Sequence, residues 1–412
     1  MTAIEEEQGG EPAGVGELWR NRDFLLYLAS RGLMVTGRQI LSVAVGWDVY
    51  ARTGNVVDLG LIGLCLFFPI LVFFIPAGVT ADRVDRRLIL GSTQLVQAFT
   101  GAAIGLWFHF GDSSVSVVFL FLLLSGSAHA FLNPALNSAL PKLVPRHLFS
   151  NAVASSSSVS KIAQLVGPVG GGFLIALPGQ AVYMVVTLMF LLGALAAIMI
   201  RANLRITEKE PWSYSLLFGG FGFIWATPKV LAAMSIDLIA VLFGGLIGML
   251  PVYAVDILHV GPQGLGIMRA APAVGAFTTA LALASYRLPW PVGRAFFMSI
   301  AIFGCSIVAF SFSTNFWFSL VTLVVYGASD MVSVYVRQTL IQIDTPDELR
   351  GRVSAVSSIS AGGSTQLGDF RAGIMAGAMG TPAAVAAGGL LTLAATALWY
   401  RLFPELRKLT TF

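Results

Sequence analysis

The stretch VDLGLIGLCLFFPILVFFIPAGV, residues 57–79, has one charged residue, Asp58, in 23 positions. An apolar helix of about 20 residues is as long as the hydrocarbon core of a bilayer is thick. Only helices and closed barrels satisfy their backbone hydrogen bonds in lipid, and a run of this length forms a helix. The stretch therefore predicts a membrane-spanning helix, and it sets the fold class as an all-α membrane protein.

The composition extends this prediction to the whole chain. Of the 412 residues, 56% are hydrophobic and 11% are charged, whereas an average soluble domain is roughly 25% charged. The mean hydropathy is +0.80. These values exclude an ordinary cytosolic enzyme, a disordered protein and a nucleic-acid-binding protein. We place twelve membrane-spanning helices at residues 24–50, 57–79, 88–110, 115–137, 151–176, 180–200, 229–256, 263–285, 295–312, 316–343, 352–378 and 382–402.

The positions of Lys and Arg predict the topology, because cytoplasmic loops of membrane proteins are enriched in these residues. With the N-terminus inside, 18 of the 25 Lys and Arg residues lie in cytoplasmic segments, and one, Arg52, lies outside. We therefore expect both termini in the cytoplasm. The predicted domains are a cytoplasmic N-terminal tail (1–22), a six-helix bundle (23–200), a cytoplasmic central loop (201–227), a second six-helix bundle (228–403) and a cytoplasmic C-terminal tail (404–412).

The two halves of the chain repeat each other. Two separate stretches match at nearly the same offset, and several matched residues are Gly or Pro, which mark bends and close helix contacts. Parallel six-span repeats related by an axis along the membrane normal form the major facilitator architecture, whose ligand site lies between the repeats. We therefore predict two six-helix bundles in a pseudo-two-fold arrangement. The matches are Val49, Tyr50, Ala51, Gly63 and Pro69 with Val252, Tyr253, Ala254, Gly266 and Pro272, and Pro145, Leu148, Ala154, Ser156, Ser157, Gly167 and Gly172 with Pro346, Leu349, Ala355, Ser357, Ser358, Gly368 and Gly373.

The turn after the second predicted helix reads GVTADRVDRRLIL, residues 78–90. Gly78 permits close helix approach, and Asp82 can face a helix N-terminus. Arg83, Arg86 and Arg87 can pair across the gap between the halves. The turn resembles the loop signature of the major facilitator superfamily, and this resemblance implies a conformational latch. The alternative is a loop whose basic residues only follow the positive-inside rule.

The fifth predicted helix contains GPVGGG, residues 167–172. Gly167, Gly171 and Gly172 permit tight helix packing, while Pro168 removes one backbone hydrogen bond and bends the helix. The segment is similar to a Gly- and Pro-rich motif that the superfamily carries mainly in its exporters. Simple helix packing explains the same residues.

The segment LRGRVSAVSSISAGGSTQLGDFRAG, residues 349–373, resembles a bacterial branch of the superfamily that includes the enterobactin exporter and macrolide-efflux-type exporters. The resemblance implies a transporter of a bacterial inner membrane, not an enzyme. It also implies a monomer without cofactor or metal, which binds a small molecule, protons and lipid but no nucleic acid. One departure is that the fourth helix lacks the Arg found in many proton-coupled drug antiporters. His129 is the nearest ionisable residue there.

Ionisable side chains inside the predicted helices are the candidate site residues, because they are costly in lipid unless they are paired or face water. Arg38 lies near mid-helix, which favours a cavity position or an ion pair, whereas Arg31 is close enough to the inner surface to snorkel. His129 is either a hydrogen-bonded core residue or a proton carrier. Asp369 and Arg371 form either an exterior gate or a wet helix end. The candidates are Arg31, Arg38, Asp48, His129, Lys161, Asp237, Arg269, Asp330, Arg337, Asp369 and Arg371.

The intramembrane charges divide unevenly between the halves. Among the candidate residues, one acid, Asp48, lies in the first half, and three, Asp237, Asp330 and Asp369, lie in the second. We predict that the first half presents positive charge to an anionic or polar substrate and that Asp237 or Asp330 binds the coupling proton. A carboxyl group in a drying cavity loses the hydration of its charged form, which lets it bind and release a proton as access alternates. The predicted substrate and cavity residues are Arg31, Arg38, His129, Lys161 and Arg337.

The activity predicted from these features is proton-driven export of an amphipathic small molecule, such as a drug or a siderophore, by alternating access. One alternative is an importer of a small polar nutrient, and another is a non-transporting membrane receptor. The sequence has no Walker loop, HExxH motif or CxxC motif. We therefore expect an ion gradient to supply the energy.

Overall fold

The computed structural model describes residues 15–110, 114–178, 180–204, 221–286 and 290–411. Within these ranges the chain is helical and has no β-strand. The predicted N-terminal tail and central loop lie largely outside them. The long helices of the described part are α1 (Arg22–Thr53), α2 (Val56–Arg83), α3 (Arg86–Phe110), α4 (Ser116–Leu143), α5 (Phe149–Ile175), α6 (Ala181–Ile198), α7 (Pro228–Phe243), α8 (Gly261–Ser285), α9 (Val292–Ser311), α10 (Phe316–Asp344), α11 (Asp347–Met379) and α12 (Thr381–Leu402).

Local sequence explains where the first helices begin and end. The side chain of Asn21 accepts hydrogen bonds from the backbone N–H groups of Asp23 and Phe24, both at 3.1 Å, and caps α1. Gly54 ends α1 in the left-handed conformation, with φ of 60°. Asn55 then caps α2. Gly and Asn tolerate these conformations and supply these bonds, so the turn at 53–55 confirms the predicted break.

Ten helical segments of the described residues are long and apolar enough to cross a membrane. This finding confirms the all-α membrane class. The helices α1 and α11 do not meet the same criterion, although they span 32 and 33 residues. Both carry intramembrane charges and many polar residues, and both line the main cavity described below.

Buried apolar side chains form two large clusters. One is built from residues of α1 to α6 and includes Phe24, Tyr27 and Phe190. The other is built mainly from α7 to α12 and includes Tyr253 and Phe296. We call residues 15–204 the first half and residues 221–411 the second half. The halves contact each other mainly where α5 packs on α8 and where α2 packs on α11.

The seventh predicted helix is interrupted. We predicted a continuous helix over 229–256, but α7 ends at Phe243, and residues 244–246 are not helical before short helical turns resume at Ile247. A Cβ atom at Gly245 would clash with the backbone oxygen of Gly368 on α11. The predicted span at 229–256 is therefore present as the membrane-crossing segment Pro228–Ile257, but it is not one continuous helix. The Gly244–Gly245 pair lets the backbone of α11 approach so closely that the helix breaks.

At one end of the bundle, glycine residues allow the backbones of the two halves to contact each other directly. We call this end, where α1 ends and α2 begins, the far face. The opposite end, where α1 begins and α12 ends, is called the tail face. A Cβ at Gly172 of α5 would lie 2.5 Å from the oxygen of Pro262 and 3.0 Å from Cα of Gly266 on α8. A Cβ at Gly373 of α11 would lie 2.8 Å from Cα of Gly60 on α2. These two crossings form what we call the glycine seal.

Because the glycine seal leaves no room for a Cβ atom, one added methyl group should weaken the contact between the halves. Gly172→Ala is expected to destabilise the closed far face by about 1–3 kcal/mol, which is roughly a 5- to 150-fold change in the closed-to-open ratio. Spin labels at Phe110→Cys and Trp317→Cys, which are 78% and 73% exposed in the native chain, report the separation of the halves at this face. In Gly172→Ala, we expect a larger population of long distances between the two spin labels.

Gly170→Ala is the matched control for this prediction. It lies in the same motif, but a Cβ at Gly170 would meet no described atom within 4 Å. The labels require a background in which the native Cys65 and Cys305 are replaced by Ser. Identical distance distributions for the two alanine variants would show that the seal does not control the far face.

Candidate functional site

A cavity of about 540 Å³ lies between α1, α2, α4 and α11. Its lining reaches Asn137 near the end of α4 and Gly351 near the start of α11, so it lies between the glycine seal and the tail face. The walls are largely apolar. The polar lining residues are Arg38, Ser42, Gln97, Ser125, His129, Asn137, Ser354, Ser358 and Gln366.

Arg38 and His129 form a polar pair in this cavity. Nη1 of Arg38 lies 2.9 Å from Nε2 of His129, which is 91 residues away on α4. A guanidinium only donates hydrogen bonds, so Nε2 of His129 accepts, and the imidazole is neutral with its proton on Nδ1. Nε of Arg38 and Nδ1 of His129 are both buried without a hydrogen-bond partner among the described residues. The pair therefore offers unused donors.

Arg31 and Lys161, the other first-half candidates, do not line this cavity. Nε of Arg31 donates to Oγ of Ser160 on α5 at 2.7 Å, and Nη1 donates to the hydroxyl of Tyr27 at 3.1 Å. Arg31 therefore links α1 to α5 while it remains partly exposed. Lys161 is exposed on α5 and lies within electrostatic range of Asp330 on α10.

A buried ion pair joins α7 to α10. Nε of Arg337 lies 3.1 Å from Oδ2 of Asp237, and the two side chains are 5% and 6% exposed. The hydroxyl of Ser333 donates to Oδ1 of Asp237 at 3.0 Å, and Nη1 of Arg337 donates to Ser357 on α11. Both charges are thus paired and hydrogen-bonded, as buried charges require.

Asp330 lies one turn before Ser333 on α10, in the same cluster. It is within electrostatic range of Asp237, Arg337 and Lys161, but it forms no ion pair with a described residue. The cluster therefore holds two carboxyl groups beside one closely paired guanidinium. Of the two predicted proton sites, Asp237 has a full set of partners and Asp330 does not.

The loop predicted as a latch bonds within the first half. Arg86 donates to the backbone oxygen of Leu204 and to Oγ of Ser138 at 3.2 Å. Arg87 pairs with Asp85 at 2.7 Å and donates to a backbone oxygen after α6. These bonds hold the start of α3 against the end of α6. They differ from the predicted pairing across the gap.

The other three latch residues are Gly78, Asp82 and Arg83. The side chain of Asp82 lies outside the described part of the structure, and Arg83 is exposed. A Cβ at Gly78 would meet no described atom within 4 Å. The close helix approach predicted at Gly78 is therefore absent among the described residues.

The GPVGGG segment of α5 packs against two different helices, α1 and α8. A Cβ at Gly167 would lie 2.6 Å from Cβ of Gln39, and a Cβ at Gly171 would lie 3.2 Å from Cα of Ile40, so these two glycines face α1. Gly172 instead faces α8. The backbone oxygen of Pro168 lies 2.5 Å from the Cβ position of Gly266. One short motif therefore joins α5 both to its own half and to the other half.

Residues of α11 hold the interruption of α7 from both sides. The guanidinium of Arg371 donates to the oxygens of Leu242 at 3.1 Å and Phe243 at 2.6 Å, at the end of α7. The carboxylate of Asp369 accepts from the N–H of Gly248 at 3.0 Å, where helical turns resume. Positive charge at a helix C-terminus and negative charge at an N-terminus are both favourable. Sequence reasoning listed both residues but missed the break that they cap.

Sequence reasoning also missed two contacts between the halves near the far face. The hydroxyl of Tyr50 on α1 donates to the carboxylate of Asp256 in the segment after α7. Nη1 of Arg269 on α8 donates to Oγ of Ser42 on α1 at 2.8 Å. The only available signals were a charge in an apolar run for Arg269 and a repeated Tyr in the two halves for Tyr50.

Comparison with known proteins identifies relatives of this chain. The family described as transmembrane secretion effector matches residues 20–410. The multidrug efflux pump Tap of Mycolicibacterium fortuitum is 28% identical over 393 residues, which cover 90% of this chain and 93% of that protein. The enterobactin exporter EntS of Escherichia coli O1:K1 / APEC is 25% identical over 398 residues, covering 93% and 92%. Macrolide efflux protein A of Streptococcus pyogenes is 27% identical over 150 residues, which cover 36% of this chain and only 37% of that protein.

Solved structures with the same fold are transporters. A bacterial homologue of the human lysosomal transporter Spinster, in an inward-facing and unoccupied conformation, superposes with a TM-score of 0.76 at 16% identity. The alignment covers 97% of this chain and 99% of that one. A bacterial homologue of the iron transporter ferroportin, in an inward-facing state, gives a TM-score of 0.71 at 15% identity and covers 94% and 99%.

These comparisons confirm three predictions: the resemblance to major facilitator exporters, the multi-pass membrane class and the assignment as a transporter and not an enzyme. Because the family matches nearly the whole length, from residue 20 to residue 410, this chain belongs to the transmembrane secretion effector family of the major facilitator superfamily.

Proposed function

We propose that this chain is a secondary active transporter of a bacterial inner membrane, which exports an amphipathic small molecule such as a drug or a siderophore in exchange for protons. The observation that carries the proposal is the cavity of about 540 Å³, with apolar walls and an arginine–histidine pair. Ligand sites are typically apolar pockets with a few placed polar groups. A molecule with apolar surface and few polar groups complements this lining.

The proposed architecture has twelve membrane spans in two six-helix bundles, α1–α6 and α7–α12. The two apolar clusters support this division, since each is built mainly from one half. The polar helices α1 and α11 count as spans because Arg38, Ser42, Ser354 and Ser358 line a cavity and do not face lipid. We propose that the protein works as a monomer.

The proposed orientation places the tail face in the cytoplasm. The 18-to-1 distribution of Lys and Arg supports it. In this orientation the glycine seal closes the outside, and the cavity lies toward the cytoplasm. The conformation is then inward-facing, and α2, α5, α8 and α11 separate at the far face when the molecule is released.

The export direction is supported by the named activities of the relatives. Tap is a multidrug efflux pump, EntS is an enterobactin exporter, and the third relative is named macrolide efflux protein A. An exporter that faces inward presents an empty cavity to its substrate in the cytoplasm. Alternating access then moves the substrate outward as one bundle rocks against the other.

Proton coupling is supported by the carboxyl cluster of α7 and α10. Arg337 pairs closely with Asp237 alone. Asp330 is therefore the carboxylate whose negative charge would be neutralised by binding a proton. Lys161 on α5 is an exposed cation within range of Asp330 and belongs to the other half. We propose that Asp330 is protonated in one access state and interacts with Lys161 in the other.

The loop after α2 is proposed as a conformational latch. Arg86 and Arg87 anchor α3 to the residues after α6 and keep the first half rigid at the tail face. Arg83, exposed in this open state, is then the group available to the second half when the tail face closes.

Everted membrane vesicles test direction and coupling together. Vesicles from cells that produce the chain are loaded with an acidic interior and given radiolabelled erythromycin or enterobactin. We expect accumulation of at least one probe above vesicles without the chain, and we expect nigericin, which collapses the pH gradient, to abolish it. Uptake only by right-side-out vesicles would support the importer instead. Accumulation that is insensitive to nigericin would refute proton coupling.

A further inference from the structure

A second cavity of about 210 Å³ lies beneath the glycine seal and adjoins the main cavity. The two share Ser42, Ile62, Leu66 and Gln366 in their linings. The small cavity is the more polar of the two, and it is formed by both halves. It receives Arg269 from α8, Asp369 from α11 and Gln39 from α1.

Two arginines, one from each half, lie along the same face of α1. Arg38, Ser42 and Gly46 follow each other at four-residue spacing, so they share a face and successive residues are about 6 Å apart along the axis. Arg269 reaches this face from α8. Its Nη1 donates to Oγ of Ser42 at 2.8 Å, and its Nη2 lies 3.6 Å from the Cβ position of Gly46. Arg269 therefore contacts the face of α1 that carries Arg38, at a position one helical turn beyond it.

Both guanidiniums have unused donors. Nε of Arg38 and Nε of Arg269 are buried and have no hydrogen-bond partner among the described residues. A buried donor without a partner costs free energy, and a charged one costs more. Each arginine is held in place by one neutral neighbour, His129 or Ser42, and neither forms an ion pair with a described residue.

The charges that line the two cavities do not cancel. Among the described lining residues they are Arg38, Arg269 and Asp369, with His129 neutral as its contact with Arg38 requires. Asp369 is within electrostatic range of Arg269, but it is engaged with the N–H of Gly248 and is not paired with Arg269. One positive charge remains uncompensated, and a ligand with one negative charge would balance it.

We propose that Arg38 and Arg269 form a clamp for a carboxylate or similar anionic head group on the transported molecule, whose apolar part occupies the larger cavity. This inference rests on the proposed transport function and names its substrate class as amphipathic anions. Guanidinium groups bind such heads through two parallel, charge-assisted hydrogen bonds. Because the arms of the clamp belong to different halves, a bound anion links them and helps to keep the far face closed until the halves rearrange.

Three probes of the same shape test the clamp in purified, detergent-solubilised protein. They are naphthalene-2-carboxylate, the neutral naphthalene-2-carboxamide and the cation 2-naphthylmethylammonium, and isothermal titration calorimetry measures their binding. We expect the carboxylate to bind roughly tenfold more tightly than the amide, and the cation to bind most weakly. Equal affinities for the three probes would overturn the proposal.

Arginine variants test whether the preference comes from these two residues. Arg38→Gln and Arg269→Gln should each reduce the preference for the carboxylate over the amide to about twofold or less. Arg269→Lys, which keeps the charge but not the fork of donors, should retain part of it. Arg294→Gln, an exposed arginine at the start of α9, is the matched control and should keep the full preference. A preference that survives Arg269→Gln would overturn the assignment of that residue.

Two further measurements keep the outcomes separate. If Arg269→Gln does not fold, Ser42→Ala removes only the hydroxyl that orients Arg269, and it should weaken the carboxylate preference. Erythromycin accumulation in everted vesicles tests transport independently of the clamp. Nigericin-sensitive accumulation without a carboxylate preference would refute the clamp and leave the transport function standing. A carboxylate preference without transport of any probe would refute the function and leave the binding site.

Discussion

Asp330→Asn is expected to reduce transport driven by a pH gradient to the level of liposomes without protein, while the protein still folds. The neighbouring Asp237 is already paired with Arg337 at 3.1 Å, and we propose Asp330 as the carboxyl group that binds the coupling proton. An amide has the shape of the protonated carboxyl group but cannot bind or release a proton. The variant is therefore locked in a protonated-like state.

Reconstituted proteoliposomes give the measurement, with substrate flux followed at imposed pH gradients. Asp347→Asn is the matched control, because the side chain of Asp347 is 83% exposed at the start of α11 and forms only a surface ion pair with Arg350. Such pairs contribute about 0–1 kcal/mol. We expect this control to transport as the native chain does. If Asp330→Asn keeps the full dependence on the pH gradient, Asp330 has no part in the coupling.

Arg337→Gln is expected to lower the free energy of unfolding by about 3–5 kcal/mol, because it leaves the buried carboxylate of Asp237 without its cation. The ion pair is almost completely buried, with side-chain exposures of 5% and 6%. Removing one partner of such a pair leaves the desolvation cost of the other uncompensated. The variant also loses the bond from Nη1 to Ser357, which ties α10 to α11.

Unfolding of the detergent-solubilised protein, followed by tryptophan fluorescence, measures this effect. Arg294→Gln removes an exposed arginine and should change stability little. The double variant Asp237→Asn with Arg337→Gln should recover a large part of the loss, since it removes both buried charges. A double variant as unstable as Arg337→Gln alone would mean that packing, and not the unpaired charge, accounts for the loss.

Much of the fold was predictable from local patterns in the sequence. Runs such as residues 57–79 are uniformly apolar, and lipid permits only helices there, so composition alone gives the class. The Thr53–Asn55 turn was predictable because Gly and Asn supply the cap conformations that the two helices need. The break of α7 at residues 244–246 was not, because it depends on how closely the backbone of Gly368 approaches.

The candidate site was predictable as a set of residues but not as a set of pairs. An ionisable residue inside an apolar run identifies itself by its cost in lipid, which is how Arg38, His129 and Asp237 were selected. Which residues meet depends on the packing of helices distant in sequence: Arg38 pairs with His129 across 91 residues. Arg31 illustrates the same limit, since snorkelling and bonding to Ser160 were equally compatible with its position on α1.

The sequence by itself determined that this chain is a bundle of membrane helices, because the bilayer permits few backbone structures and the apolar lengths match its thickness. It also determined which positions inside the membrane helices carry a charge whose burial costs free energy. Only the tertiary structure decided that Arg38 and Arg269 line adjoining cavities and that Asp237 and Arg337 form a pair. The physical reason is that helix periodicity gives each residue a face, whereas the partner of that face depends on close packing between helices far apart in the chain.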